Sequence, residues 1–253
     1  NTTADDNVAV GDNALQANTT GSQNTGLGTR AMLYTTTGSD NVSVGHNSME
    51  TNTTGEQNVA VGNYALDNSS TSSYNVAVGY GALTQMTTGN SNTALGHRAS
   101  DAITTASNSV SVGTDALGAC TTGNANVAIG KDTLTQLTTQ SEMVAVGFKA
   151  LEANTTGYHN TAVGSYAADA VTTGIRNTAL GYGSLTSATT GNYNTAIGYG
   201  TLADTNTENN TAVGHAALTA ATTGGNNTAV GNGAGDAITT SGANTLVGAL
   251  AGS

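Results

Sequence analysis

The sequence predicts an all-β fold, a β-solenoid (β-roll) in which about fifteen coils of 17 residues are stacked. A short phrase recurs fifteen times: usually Asn, then Val or Thr, a small residue, an aliphatic residue and Gly. Thirteen of the fourteen spacings are 17 residues, and the spacing from Asn194 to Asn210 is 16. Disordered chains do not keep such a period, so each unit is expected to pack against its neighbours.

Composition limits what this fold can bury. The 253 residues include 34 Gly, one Phe, no Trp and no Pro, and 8% of them are charged. A core of many bulky side chains is therefore not expected. The net charge of −11 also argues against a nucleic-acid partner, because binding to phosphates requires clustered Lys and Arg.

Each coil is numbered here from its phrase, with the usual Asn as position 1. Position 2 is always Val or Thr, which favours a short strand whose side chains alternate between two faces. Gly at position 5 predicts a bend where a side chain does not fit or φ is positive, and Thr-Thr-Gly at positions 13 to 15 predicts a second turn. The columns expected to define the coil include Asn7, Val10, Gly11, Leu15, Asn160, Val163, Gly164, Asn177, Leu180 and Gly181. Stacked Asn side chains are expected to form a hydrogen-bonded ladder.

Positions 9 and 12 are expected to share one interior space. Position 9 is usually Leu or Met, but in three coils it is small while position 12 is Ile or Val. These pairs are Ser100 with Ile103, Ala168 with Val171, and Gly235 with Ile238. Such an exchange avoids a costly void.

Position 3 is Ala, Gly or Ser in fourteen of fifteen coils and points away from position 4. A column of small residues could let a second chain approach closely, or it could form a second packed layer inside the same coil. Both interpretations stay open. The candidate interface residues are Ala9, Ala60, Ala77, Ala162, Ala179 and Ala196.

The phrase N-T-A-(V/I/L)-G with T-T-G between copies resembles repeats of bacterial and phage surface fibres, including tail-fibre proteins. It is also similar to the head repeats of trimeric autotransporter adhesins. This resemblance implies a left-handed parallel β-roll and self-association as a homotrimer or fibre. It further implies a structural, extracellular shaft on a cell surface or virion, with a cell-surface or glycan receptor as a partner.

Residues 1–253 are expected to be a single repeat array, cut inside a repeat at both ends and without a separate domain. The residues contain no apolar stretch long enough to span a bilayer and no signal peptide, so membrane insertion is not expected.

No catalytic, cofactor or metal site is expected, and the protein is predicted not to be an enzyme. Position 6 carries three histidines that are at least three coils, or about 14 Å, apart, which is too far to share a metal ion. They are His46, His97 and His215. Position 10 carries carboxylates, interpreted as a solvated acidic edge: Glu50, Asp67, Asp101, Glu152, Asp169 and Asp236. Cys120 stands in an apolar column and is expected to be buried.

Two surfaces are left as candidates for recognition. The Thr-Thr pairs support an alternative function, a monomeric solenoid that binds ice through a repeated Thr surface. Variable tyrosines are the other candidates, as contacts for a receptor: Tyr80, Tyr158, Tyr182 and Tyr199.

Overall fold

Every coil contributes one strand of three residues, at positions 2 to 4. The computed structural model describes residues 3–203 and 206–253, and within these residues it contains fifteen strands and no helix. The strands are β1 (Val8–Val10), β2 (Thr25–Leu27), β3 (Val42–Val44), β4 (Val59–Val61), β5 (Val76–Val78), β6 (Thr93–Leu95), β7 (Val110–Val112), β8 (Val127–Ile129), β9 (Val144–Val146), β10 (Thr161–Val163), β11 (Thr178–Leu180), β12 (Thr195–Ile197), β13 (Thr211–Val213), β14 (Thr228–Val230) and β15 (Thr245–Val247).

The chain divides into two compact units, Asn1–Asn126 and Val127–Ser253. In the first unit β1 to β7 pair in chain order, and in the second unit β8 to β15 do the same. All these pairings are parallel and join equivalent positions of successive coils, and the 16-residue coil keeps this register because Thr195 pairs with Thr211. The predicted parallel β-solenoid is thus confirmed in each unit, while its handedness and the single array over residues 1–253 stay predictions.

The middle residue of each strand points into the coil. In the inner strands position 3 is buried, whereas positions 2 and 4 are partly or fully exposed. Ala60, Ala77, Ala162, Ala179 and Ala196 are buried in the chain's own core, and only Ala9 is exposed, since β1 has a neighbouring strand on one side only. Of the two interpretations left open for position 3, the burial of these five alanines favours the packed layer inside their own coil.

The narrowness of the coil explains this orientation. The large side chain of position 9 occupies the space against which position 3 packs: a Cβ placed on Gly26 would lie 3.4 Å from Cγ of Leu15. Only a methyl or hydroxymethyl group fits opposite Leu or Met there, so the bulkier Val, Leu and Ile of position 4 face outward. The interior is built mainly from alanine methyl groups and one large side chain per coil.

The exchange between positions 9 and 12 is confirmed in two coils. Ile103 and Val171 are fully buried, and the small residues Ser100 and Ala168 lie in the same interior. A large side chain from either position fills the space, which spares the coil a cavity.

The asparagines of position 1 form the predicted ladder. Asn58 is fully buried; its Nδ2 donates to the Ser72 carbonyl oxygen (2.8 Å), and its Oδ1 accepts from the Asn75 backbone N–H (3.0 Å). The first bond closes the coil to which Asn58 belongs, and the second ties that coil to the next. One side chain thus satisfies two buried backbone groups that the short strands leave unpaired.

Both reasons expected for Gly at position 5 apply. These glycines have φ between 129° and 143°, and a Cβ on Gly79 would lie 2.2 Å from the carbonyl oxygen of Gly96. Positions 7, 9 and 17 also have positive φ although most are not glycine, as in Tyr64 (61°), Leu66 (55°) and Tyr74 (64°). This left-handed geometry costs about 1–2 kcal/mol per residue, and at position 9 burial of a large apolar side chain offsets it.

Candidate functional site: the sheet face and the aromatic ladders

The outward side chains of positions 2 and 4 form an apolar surface in each unit, which we call the sheet face. Val10 is 55% exposed, and Leu27, Leu95 and Leu180 are 45 to 46% exposed. Neither position is charged in any of the fifteen coils. Extended apolar surfaces of this kind mark sites of interaction.

The sheet face changes character along the sequence. In the first unit position 2 is mostly Val, whereas six successive coils of the second unit have Thr there. These threonines are Thr161, Thr178, Thr195, Thr211, Thr228 and Thr245, and their strands pair in register. The result is a regular column of hydroxyl and methyl groups beside a column of aliphatic side chains.

In the Thr-Thr turns the first hydroxyl takes part in contacts between successive coils. The first Thr of a pair donates its hydroxyl to a carbonyl of the next coil, as Thr36 does to Thr53 (3.0 Å) and Thr172 to Thr189 (2.9 Å). The second Thr of the pair, such as Thr37, is exposed. The first hydroxyl therefore helps to hold successive coils together.

Aromatic side chains from positions 6 and 7 meet in successive coils and form two ladders. In the first unit the ring centroids of His46, Tyr64, Tyr80 and His97 follow one another at 5.6, 5.7 and 5.6 Å. In the second unit those of Phe148, Tyr166, Tyr182, Tyr199 and His215 follow at 5.3, 5.9, 5.3 and 5.3 Å. All three histidines noted from the sequence belong to these ladders, and Tyr80, Tyr182 and Tyr199 are 52 to 58% exposed.

The two ladders repeat one arrangement six coils apart. Tyr64 and Tyr80 meet edge to face with an interplanar angle of 74°, and Tyr166 and Tyr182 do so at 73°. Each residue of the second pair follows its counterpart by 102 residues. A carboxylate pair has the same offset: Glu50 and Asp67 in the first unit, Glu152 and Asp169 in the second.

The carboxylates of position 10 are not simply a solvated edge. Glu50 is buried and forms an ion pair with Arg30. Burial, helped by the negative charge of Glu50, raises the pKa of Asp67 to about 6, against the lowering effects of Arg30 and His46. Burial also raises the pKa of Asp169.

The fourth tyrosine proposed from the sequence, Tyr158, belongs to a different cluster, at positions 16 and 17. The guanidinium of Arg176 lies 5.9 Å from the ring centroid of Tyr158 and 5.6 Å from that of Tyr193. Cation–π contacts at such exposed sites contribute about 0.5–1 kcal/mol.

A cleft opens beside the first ladder. It has a volume of about 280 Å³, and its lining combines two aromatic rings with polar and charged side chains. The lining residues are Tyr64, Tyr80, Gly81, Thr84, Gln85, Arg98 and Asp101. Arg98 Nε donates to Asp101 Oδ2 at 2.8 Å and lies 3.8 Å from Asp115 Oδ1, so two carboxylates compensate the guanidinium charge.

Comparison with family models, curated proteins and solved structures found no match to this chain. The likeness to surface-fibre repeats therefore stays a resemblance.

Among residues 3–203 and 206–253, no cluster of three or more His, Cys, Asp or Glu side chains is placed to bind a metal ion. In the same ranges no helix is long and apolar enough to cross a membrane. Cys120 is buried, as expected, and burial raises the pKa of its thiol, which disfavours the nucleophilic thiolate.

Proposed function

We propose that this chain is a non-catalytic, structural segment of an extracellular fibre or adhesin shaft, carried on a cell surface or virion. Its repeat β-solenoid architecture is suited to such a role, because each coil is held by its neighbours through strand pairing and the asparagine ladder. The observation that carries the proposal is the sheet face, an uncharged apolar surface repeated coil after coil.

We further propose that the sheet face is covered by other copies of the same chain, as a homotrimer. A partner that matches this surface must repeat with the same coil spacing, and a second copy meets that requirement. Charged side chains occupy other positions, such as Arg30 at position 7 and Glu50 at position 10. Chains with a net charge of −11 can therefore join through this face while their charges stay outside the contact.

The test is the solution mass by light scattering of the wild-type chain and of two variants. The wild type is expected at three times the single-chain mass of 24.8 kDa. The double variant Leu27→Lys/Leu95→Lys places charges on the exposed sheet face and is expected to be monomeric. The control Thr88→Lys, at an exposed position of a Thr-Thr turn, is expected to keep the wild-type mass. A monomeric wild type, or a double variant that keeps its mass, contradicts the proposal.

Ice binding is the second candidate, and the observation that favours it is the Thr column of the second unit. Thr178 is exposed on a strand whose partners on both sides also present Thr at position 2. Thermal hysteresis in purified protein would support this function, and Thr178→Lys should then abolish it. Folded protein without hysteresis would rule it out.

A further inference from the structure

The cleft beside the first ladder exists because one side chain is missing from a column. Position 7 is Tyr64, Gly81 and Arg98 in three successive coils. Because Gly81 has no side chain, a gap remains between the Tyr64 ring and the Arg98 side chain. Tyr80, Thr84, Gln85 and Asp101 also line the gap. A Cβ at Gly81 would meet only Oγ1 of Thr84 at 3.2 Å and Cγ of Arg98 at 3.7 Å.

The gap has room for one ring. Strands are spaced by about 4.8 Å, so the backbone levels of Tyr64 and Arg98 are about 10 Å apart. A single six-membered ring at the level of Gly81 can therefore contact a side chain above it and one below it. We propose that this cleft binds one pyranose ring of a neutral glycan.

The lining suits the two kinds of surface that a pyranose presents. The C–H groups of a sugar ring carry partial positive charge, and the faces of Tyr64 and Tyr80 carry partial negative charge. The hydroxyl groups at the rim of the sugar need donors and acceptors, which the Gln85 amide, the Asp101 carboxylate and the Arg98 guanidinium supply.

Charge selects a neutral ligand over an anionic one. Arg98 is already engaged by Asp101 and Asp115, so the cleft has no excess positive charge to attract a carboxylate or sulfate. The whole chain is also acidic, with a net charge of −11. Sialylated or otherwise anionic glycans are thus disfavoured.

The second ladder supplies an internal control for the polar wall. Tyr166, Tyr182, Gly183 and Thr186 are the counterparts, 102 residues on, of Tyr64, Tyr80, Gly81 and Thr84. Where the first cleft has Gln85, Arg98 and Asp101, the corresponding residues are Ser187, Gly200 and Ala203. The aromatic pair is kept but the charged groups are lost, so we expect tighter binding at the first ladder.

The test uses saturation-transfer NMR and calorimetry on the whole chain with chitotriose, cellotriose and mannotriose, and with sialyllactose as the anionic comparator. Gly81→Tyr fills the cleft, and Gly183→Tyr is the matched change in the second ladder. Tyr64 and Arg98 already adopt the left-handed backbone of position 7, so tyrosine is compatible with the fold there. Gln85→Ala, at an exposed position, removes one hydrogen-bonding group without altering the backbone.

At least one neutral trisaccharide is expected to bind the wild type and the Gly183→Tyr variant. Gly81→Tyr should weaken binding at least about tenfold, and Gln85→Ala should weaken it measurably, through lost contacts with the ring and its hydroxyls. Absence of binding to all three neutral sugars, equal binding by Gly81→Tyr, or preference for sialyllactose would each overturn the proposal. Circular dichroism confirms that each variant is folded. Self-association is not needed for this test, so its failure would leave the shaft proposal standing.

Discussion

The asparagine ladder allows a stability prediction whose size follows from named hydrogen bonds. In Asn58→Ala, the Ser72 carbonyl loses the Nδ2 donor at 2.8 Å and the Asn75 backbone N–H loses the Oδ1 acceptor at 3.0 Å. Because an unpaired buried backbone group costs about 1–3 kcal/mol, we expect a local loss of about 2–6 kcal/mol.

The stability of a repeat array is close to a sum of local terms, so amide hydrogen exchange is a better assay than a single melting curve. We expect the Asn75 amide to exchange at least about tenfold faster in Asn58→Ala than in the wild type. The control Asn68→Ala removes an exposed asparagine of the same coil and should change stability by less than about 0.5 kcal/mol. Equal exchange of the Asn75 amide in the two variants would refute the role given to the ladder.

Three further predictions follow from the geometry of single residues. Ala125 is exposed with φ of 55°, so Ala125→Gly should raise the free energy of unfolding by about 1 kcal/mol in chemical denaturation; a loss of stability would contradict the strain argument. Asn52 is fully buried and its amide bonds Gly55 at both ends, so Asn52→Leu should lower the free energy of unfolding by about 1–3 kcal/mol in chemical denaturation; a loss no larger than that of the exposed control Asn68→Ala would count against this explanation. Since burial and Glu50 raise the pKa of Asp67 from 3.8 to about 6, the native state holds this proton more tightly than the unfolded state does, and stability should fall as pH rises from about 4 to about 7. Asp67→Asn should flatten this pH dependence in denaturation measured across the pH range, and an unchanged slope would refute the role given to Asp67.

The period and the invariant columns made most of the fold predictable from the sequence. The strand at positions 2 to 4, the bend at Gly11 and its equivalents, and the asparagine ladder all follow from residue chemistry repeated in register. Alternation along a strand defines two faces but does not say which one is inside. The inner position of Ala60 depends on the width of the coil, which Leu66 at position 9 helps to fill. Because Leu66 lies five positions after Val61, the last residue of the strand, the orientation could not be read from the strand alone.

The candidate site was predictable only in part. Tyr80, Tyr182 and Tyr199 stand out as variable residues, but Tyr64 and Tyr166 occupy position 7 and not position 6, so the sequence columns do not reveal that their rings meet. The left-handed backbone of position 7 brings the two columns together, and no propensity predicts that geometry for tyrosine or arginine. The offset of 102 residues was visible in the sequence and is the signal that could have found both ladders.

The most direct test of the account compares maleimide labelling of Leu180→Cys and Ala179→Cys, with the wild type as the background for buried Cys120. Leu180 is 45% exposed on the sheet face, and Ala179 points into the coil. We expect Leu180→Cys to react quickly in dilute, dissociated protein and to become protected as the chains associate, while Ala179→Cys stays protected at every concentration. Rapid labelling of Ala179→Cys would contradict the inward orientation of position 3, and labelling of Leu180→Cys that does not change with concentration would contradict association through the sheet face.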